Sequence, residues 1–285
     1  MSIDKRSRPI KRVRRTKAEV AELRQAMIDF CTQHHPLSVR SLYYLMSQDQ
    51  LVPKKENGYR LVKDYSGKLR ECAAIPFEWL KDESRQVIQV YTCTNLADGL
   101  HDLAAQYRRY MWTDQPRYVE LWCEAKASIA SLRPLTEKWQ VRLVPVGGFS
   151  SKTFLWECAK YLARIEKPIH IVYVGDFDPS GLSIEVDIQT RLQRYAQGLQ
   201  FDLKRVALTE QQVHDMGLPT RPPKPGDSRT KGFAAAGVAE LEAIPPNQLR
   251  QMCSNAIASQ IDHDIRLTTK AAERQDVEQL EDMMQ

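Results

Sequence analysis

The chain has 285 residues, of which 42% are hydrophobic and 27% charged, so it can bury a substantial core and is not predicted to be mainly disordered. No run approaches the roughly 18 apolar residues that a membrane span needs, and the N-terminus lacks the apolar stretch of a signal peptide. We therefore expect no membrane association and a cytoplasmic location.

Positive charge is concentrated at the N-terminus. Residues 1–17 carry eight Lys and Arg and one Asp, a segment charge of +7, although the whole chain has a net charge of only +5. Such a block is typical of a tail that binds a polyanion, and it is also typical of a solvated, disordered end. We predict a basic disordered arm over residues 1–17.

The next segment has a helical pattern. Apolar residues recur at steps of three and four between Lys17 and Cys31, and Ser38 is a suitable N-cap for a second helix over VRSLYYLMSQ. A third helical stretch runs to about residue 74. Three short helices joined by turns predict a winged-helix (helix-turn-helix) domain over residues 18–85, although a small helical bundle fits this pattern equally well.

The second half has a different rhythm. After a helical connector over residues 86–115, short apolar segments at 118–124, 141–148, 169–176 and 203–208 are separated by longer stretches of helical periodicity. This alternation predicts an α/β domain over residues 116–270 with a mostly parallel sheet, followed by an acidic tail over 271–285.

Three acidic residues follow two of the predicted strands. Glu124 comes at the end of YVELWCE, and Asp176 and Asp178 follow the strand IHIVYV. Parallel strands place their carboxyl ends at one edge of the sheet, so these carboxylates are expected to converge there, around a divalent cation such as Mg²⁺. Alternatively, Asp178 is only the N-cap of a helix that begins at Pro179.

The second predicted helix carries an Arg and a Tyr four residues apart. On a helical wheel, Leu42, Tyr43 and Met46 form one apolar face, whereas Tyr44 falls on the far side, one turn after Arg40. This places the Tyr44 phenol outward beside a guanidinium that could bind phosphate. A half-buried aromatic pair is the other interpretation.

Together these motifs resemble a known family. The Arg40–Tyr44 stretch RSLYY resembles the R-[DE]-[IL]-Y-Y motif of the A subunit of type IIB DNA topoisomerases (topoisomerase VI) and of the meiotic protein Spo11. Glu124 and the GDFDPSG stretch are similar to the Toprim domain that follows the winged helix in that family. The resemblance spans residues 20–265 and is nearest to the compact Mini-A versions. Two departures are Ser41, which stands where the motif has an acid, and the lack of an ATPase module.

The resemblance implies a specific chemistry. Tyr44, assisted by Arg40, would attack a phosphodiester of double-stranded DNA and form a 5′-phosphotyrosyl link. Mg²⁺ on Glu124, Asp176 and Asp178 would neutralise charge on the phosphate. In this family the tyrosine and the metal come from different subunits of a homodimer, and a separate GHKL-type ATPase B subunit can take part. A nucleoid-associated location follows from these expectations.

Basic residues are expected to contact the DNA backbone. The candidates are Lys11, Arg12, Arg14, Arg15, Lys54, Lys55, Arg60 and Lys231. Two other functions remain open from the sequence: a Toprim nuclease in which metal-activated water attacks DNA and Tyr44 is structural, and a non-catalytic DNA-binding module.

Overall fold

A computed structural model describes residues 15–81, 90–223, 230, 233 and 237–282. Its buried apolar side chains form two separate clusters, one between Leu23 and Leu80 and the other between Met111 and Ile261. We call the corresponding parts of the chain the N-terminal lobe and the sheet lobe.

Between residues 15 and 81, the N-terminal lobe contains three α-helices: α1 (Lys17–His34), α2 (Val39–Gln48) and α3 (Glu56–Glu71). Their starts follow the sequence closely, because Thr16 makes a capping box with Glu19 and Ser38 caps α2 through the amide of Ser41. A short 3-10 turn at Phe77–Trp79 leads to a single bridge between Leu37 and Leu80. Residues 82–89 lie outside the described part, so the winged-helix assignment stays a prediction.

The connector contains a single described helix, α4 (Leu96–Gln106), which Asn95 caps. The sheet lobe follows, and its described residues form four strands: β1 (Tyr118–Cys123), β2 (Arg142–Pro145), β3 (Ile169–Val174) and β4 (Phe201–Ala207). All pairings are parallel, in the order β2-β1-β3-β4. The central strands β1 and β3 are buried along their whole length, as expected when helices cover both faces of a parallel sheet.

Helices separate and follow the strands. They are α5 (Ile129–Trp139), α6 (Lys152–Leu162), α7 (Pro179–Tyr195), α8 (Glu210–Asp215), α9 (Pro246–Ala258) and α10 (His263–Asp282). Short 3-10 turns occur at Lys126–Ser128 and Leu241–Ala243. The prediction of an α/β fold with a parallel sheet is therefore confirmed. The predicted acidic tail continues α10 as helix to Asp282.

The two lobes touch through α2 and the Leu241–Ala243 turn. The Gln48 side-chain amide donates to the Ala243 carbonyl, and Arg40 forms ion pairs with Glu240 and Glu242. On the other side of the junction, Arg250 of α9 donates to backbone carbonyls at the end of α1. Within the described ranges, no helix combines the length and apolar character needed to cross a membrane.

Candidate functional site

The three predicted acidic residues lie at one edge of the sheet. Glu124 directly follows β1, and Asp176 and Asp178 follow the neighbouring strand β3. The Glu124 amide donates to the Val174 carbonyl at 2.9 Å, so the two strands stay paired up to the point where the acids begin. Parallel pairing therefore brings these segments together, as the sequence predicts.

Glu124 sits in a crowded position. Its Oε2 accepts hydrogen bonds from the Tyr173 hydroxyl and the Asp176 amide, both at 3.2 Å. Burial and the negative charge of Asp176 raise the pKa of Glu124 to about 7. A Cβ on Gly175 would lie 2.5 Å from the same oxygen and 2.7 Å from the Tyr173 hydroxyl, so a side chain there would displace both groups from their present positions.

The two aspartates have separate structural partners. Asp176 Oδ1 accepts the Leu241 amide at 2.8 Å, and burial raises the pKa of Asp176. Asp178 caps α7, since its Oδ1 accepts the Gly181 amide at 2.6 Å and Pro179 is the first helical residue. The N-cap role that the sequence left open for Asp178 is therefore observed.

The carboxylates of this cluster are suitable ligands for Mg²⁺, but their positions do not form a metal site. Three carboxylates are available, and the charges of Asp176 and Asp178 both raise the pKa of Glu124, a repulsion that a bound cation would relieve. In the part of the chain that the structure describes, however, no three His, Cys, Asp or Glu side chains are placed to hold a metal ion. The magnesium site stays a prediction.

Tyr44 does not face solvent, contrary to the helical-wheel prediction. Only 4% of the residue is exposed, and every residue from Ser41 to Met46 is buried. The Tyr44 side chain belongs to the apolar core cluster of the N-terminal lobe, which the wheel did not predict. It also borders a cavity that side chains of both lobes line.

Cations surround the Tyr44 ring. Arg40 Nη2 donates to the Tyr44 hydroxyl at 3.4 Å, and the Arg40 guanidinium carbon lies 5.7 Å from the ring centroid. Lys54 Nζ lies 5.4 Å from the same centroid. The predicted pairing of Arg40 with the Tyr44 phenol is therefore present, although it is enclosed instead of exposed.

Arg40 also reaches two acidic residues that sequence analysis missed. Its guanidinium lies 3.4 Å from Glu240 and 3.6 Å from Glu242. Burial and the negative charge of Asp176 raise the pKa of Glu242 to about 7, so this residue belongs to the same electrostatic environment as the acids at the sheet edge. In Glu240-Leu241-Glu242 a fully buried Leu separates two acids, the same spacing as in Asp176-Phe177-Asp178. This repeated spacing was the feature of the sequence that could have identified Glu240 and Glu242 as site residues.

A cavity of about 400 Å³ opens beside Tyr44. Side chains from both lobes line it, with basic residues in excess over acidic ones. The lining residues are Arg40, Tyr43, Tyr44, Lys54, Lys55, Glu56, Tyr59, Thr220, Arg221 and Glu240. The predicted nucleophile Tyr44 therefore borders a cavity in which basic residues outnumber acidic ones.

The predicted DNA-binding residues have different outcomes. Lys54 and Lys55 line the cavity, and Arg15 and Arg60 are exposed elsewhere on the N-terminal lobe. The remaining candidates, Lys11, Arg12, Arg14 and Lys231, lie outside the described residues.

Comparison of the chain with protein-family models and with curated protein sequences gave no match.

Proposed function

We propose that this protein cleaves double-stranded DNA by a magnesium-dependent transesterification in which Tyr44 is the nucleophile. The observation that carries this proposal is the hydrogen bond from Arg40 to the Tyr44 hydroxyl, beside a cavity whose lining holds more basic than acidic residues. The resemblance of the RSLYY and GDFDPSG motifs to the topoisomerase VI A subunit and Spo11 supports the same reaction. We accordingly propose a winged-helix fold for the N-terminal lobe and a Toprim fold for the sheet lobe.

The proposed reaction exchanges one phosphoester bond for another. The Tyr44 oxygen attacks phosphorus, the bond to the 3′ oxygen breaks, and the 5′ phosphate remains on the tyrosine. The phenolic proton leaves to water and the departing 3′ oxygen gains a proton. A phenol with a reference pKa near 10 is a weak nucleophile at neutral pH, so the proposed reaction needs a cation at its oxygen, and Arg40 occupies that position.

Other residues of the site bind the phosphate. Lys54, Lys55 and Arg221 line the cavity and can oppose the charge of an entering phosphodiester. Glu124, Asp176 and Asp178 would hold Mg²⁺, which when bound supplies positive charge against the phosphate oxygens. We further propose a homodimer, a separate ATPase subunit of the GHKL type and association with the nucleoid, all of which the same resemblance implies.

A covalent-adduct assay tests the proposal. Supercoiled DNA is incubated with the protein and Mg²⁺ and then denatured, and DNA with protein attached at its 5′ ends is measured. We expect Tyr44→Phe to abolish the adduct, whereas Tyr43→Phe, which removes only a long 3.4 Å hydrogen bond to the Lys55 carbonyl, is the matched control and should retain it. EDTA should also prevent adduct formation. Cleavage that Tyr44→Phe leaves unchanged would contradict the proposal.

The burial of Tyr44 favours a second candidate function, a nuclease in which water attacks DNA at the acidic cluster. This reaction leaves 5′-phosphate ends free of protein. Asp176→Asn would abolish cleavage and Tyr44→Phe would not. DNA binding without any product would instead indicate a non-catalytic module.

A further inference from the structure

Glu240 bridges two arginines at the wall of the cavity beside Tyr44. One of its oxygens lies 3.4 Å from Arg40 Nη2, and the other lies 3.1 Å from Arg221 Nη2. The two arginine side chains are about half exposed, at 52% and 47%, whereas the Glu240 side chain is only 17% exposed. A carboxylate therefore sits between two guanidinium groups that solvent can reach.

The cavity around this carboxylate is lined by more basic than acidic residues. Lys54 lines the same cavity, and its pKa is lowered by partial burial and by the nearby positive charge of Arg221. Two neighbouring cations repel each other, and an anion close to both lowers this repulsion. The Glu240 carboxylate is such an anion within the protein.

The geometry matches the way in which arginines bind phosphate. A phosphodiester, like a carboxylate, offers oxygens that can each accept from a different guanidinium. Arg40 also contacts the Tyr44 hydroxyl, and Lys54 contacts the Tyr44 ring. An anion at this position would therefore lie beside the proposed nucleophile.

We infer that the cavity between Arg40, Lys54 and Arg221 is a binding subsite for one phosphate of the DNA backbone, and that Glu240 occupies it as an internal competitor until DNA displaces the carboxylate. This inference rests on the proposed function for the identity of the ligand, and it does not depend on Tyr44 being the nucleophile. Removal of the Glu240 charge is then expected to strengthen DNA binding.

Fluorescence anisotropy with a labelled short duplex, in EDTA so that cleavage does not interfere, tests the inference. We expect Glu240→Gln to bind DNA about two- to fivefold more tightly at fixed salt, the range of one exposed ion pair. The slope of log affinity against log salt should become steeper by about one phosphate contact. Glu242→Gln is the comparison variant: Glu242 also pairs with Arg40 but does not line the cavity, so its gain in affinity should be smaller than that of Glu240→Gln.

Further variants separate this role from a structural one. Arg221→Gln should weaken binding, and adding it to Glu240→Gln should remove the gain. Equal or weaker binding by a folded Glu240→Gln protein, judged by an unchanged thermal midpoint, would overturn the inference. Tighter binding without any covalent adduct would retain the subsite while rejecting the Tyr44 reaction.

Inorganic phosphate distinguishes the two sources of the ligand. If inorganic phosphate raises the thermal midpoint of Glu240→Gln while the affinity for DNA is unchanged, the cavity accepts a small phosphate compound and the assignment to DNA is wrong. If DNA affinity increases, the assignment to the DNA backbone stands.

Discussion

Arg250 joins the two lobes by donating to backbone carbonyls at the end of α1. Its Nη1 donates to His34 O at 3.2 Å and Pro36 O at 3.3 Å, and its Nη2 donates to His34 O at 3.2 Å and His35 O at 3.3 Å. These oxygens belong to the last residue of α1 and the two residues after it, where carbonyls have no partner in the helix itself. One guanidinium therefore closes the C-terminus of α1 and ties it to α9.

We predict that Arg250→Met lowers the free energy of unfolding by roughly 2–4 kcal/mol, because the carbonyls lose charge-assisted hydrogen bonds and remain partly buried. Urea unfolding followed by circular dichroism measures this change. Arg250→Lys is the control and should lose less, since it keeps the charge but offers a smaller donor head. Equal stability of Arg250→Met and the wild type would show that the junction does not depend on this residue.

His34 makes the same junction sensitive to acid. The ring is 5% exposed, its Nδ1 has no hydrogen-bond partner among the described residues, and it stacks against Phe30. Burial lowers the pKa of His34 below its ordinary value of 6.5. The charge of Arg250 acts in the same direction, and a hydrogen bond with Asn247 opposes it.

The sign of the pH effect follows from this shift. The folded protein keeps the ring neutral while the unfolded chain takes up a proton below about pH 6.5, so stability contributed by His34 is present above that pH and is lost as the pH falls. We predict that the wild type loses more stability than His34→Gln between pH 8 and pH 5. Thermal midpoints of both proteins across this range give the difference, and parallel curves would contradict the prediction.

At the scale of elements, the turn between β3 and α7 positions the acidic cluster. Gly181 lies in the first turn of α7, and a Cβ there would collide with the Asp176 carbonyl and approach Glu124 Oε2 at 3.3 Å. The Gly181 amide is also the donor that holds Asp178. The absence of a side chain at this position lets the three acids share one edge of the sheet.

We predict that Gly181→Ala costs about 1–3 kcal/mol of stability, because the turn must shift to accept a methyl group, and that it reduces Mg²⁺-dependent cleavage. Gly67→Ala in α3 is the matched control. A Cβ at Gly67 meets nothing within 4 Å, so that change should stabilise the helix by up to about 1 kcal/mol and leave cleavage unchanged. Unaltered stability and cleavage in Gly181→Ala would show that the turn tolerates a side chain.

The elements that sequence predicted well are those fixed by local chemistry. The strands were predicted because buried parallel strands appear as short, β-branched apolar runs such as IHIVYV. The start of α2 was predicted because Ser38 satisfies a free amide of the first turn. The meeting of Glu124 with Asp176 followed from the rule that parallel strands end at one edge.

What sequence did not predict depends on contacts between the lobes. A helical wheel distinguishes apolar from polar faces of α2, but it contains no information about the packing that buries Tyr44 in the N-terminal lobe beside a cavity lined by both lobes. The pairing of Arg40 with Glu240 and Glu242 joins residues 200 and 202 positions apart, and no periodicity reports such a contact. The burial of Tyr44 could therefore not be predicted from the sequence pattern of α2.

At the scale of the whole molecule, the contacts lead from Tyr44 to Asp176 in steps. Tyr44 contacts Arg40, Arg40 pairs with Glu240 and Glu242, and the Leu241 amide between those acids binds Asp176. The 240–242 turn thus connects the phenol to the acids of the same chain. In the proposed homodimer, by contrast, the acids opposing the Tyr44 phosphate come from a second copy of the protein.

We predict that a dimer containing one Tyr44→Phe chain and one Glu124→Gln chain makes single-strand nicks. If the tyrosine and the acids of each site come from different chains, one site of this mixed dimer carries both changes and the other is intact. If both come from the same chain, each site carries one change and the mixed dimer is inactive. Co-expression with two affinity tags isolates the mixed dimer, and nicked supercoiled DNA with protein attached to one strand is the expected product. Both parent dimers should be inactive, and an inactive mixed dimer would place the complete site within a single chain.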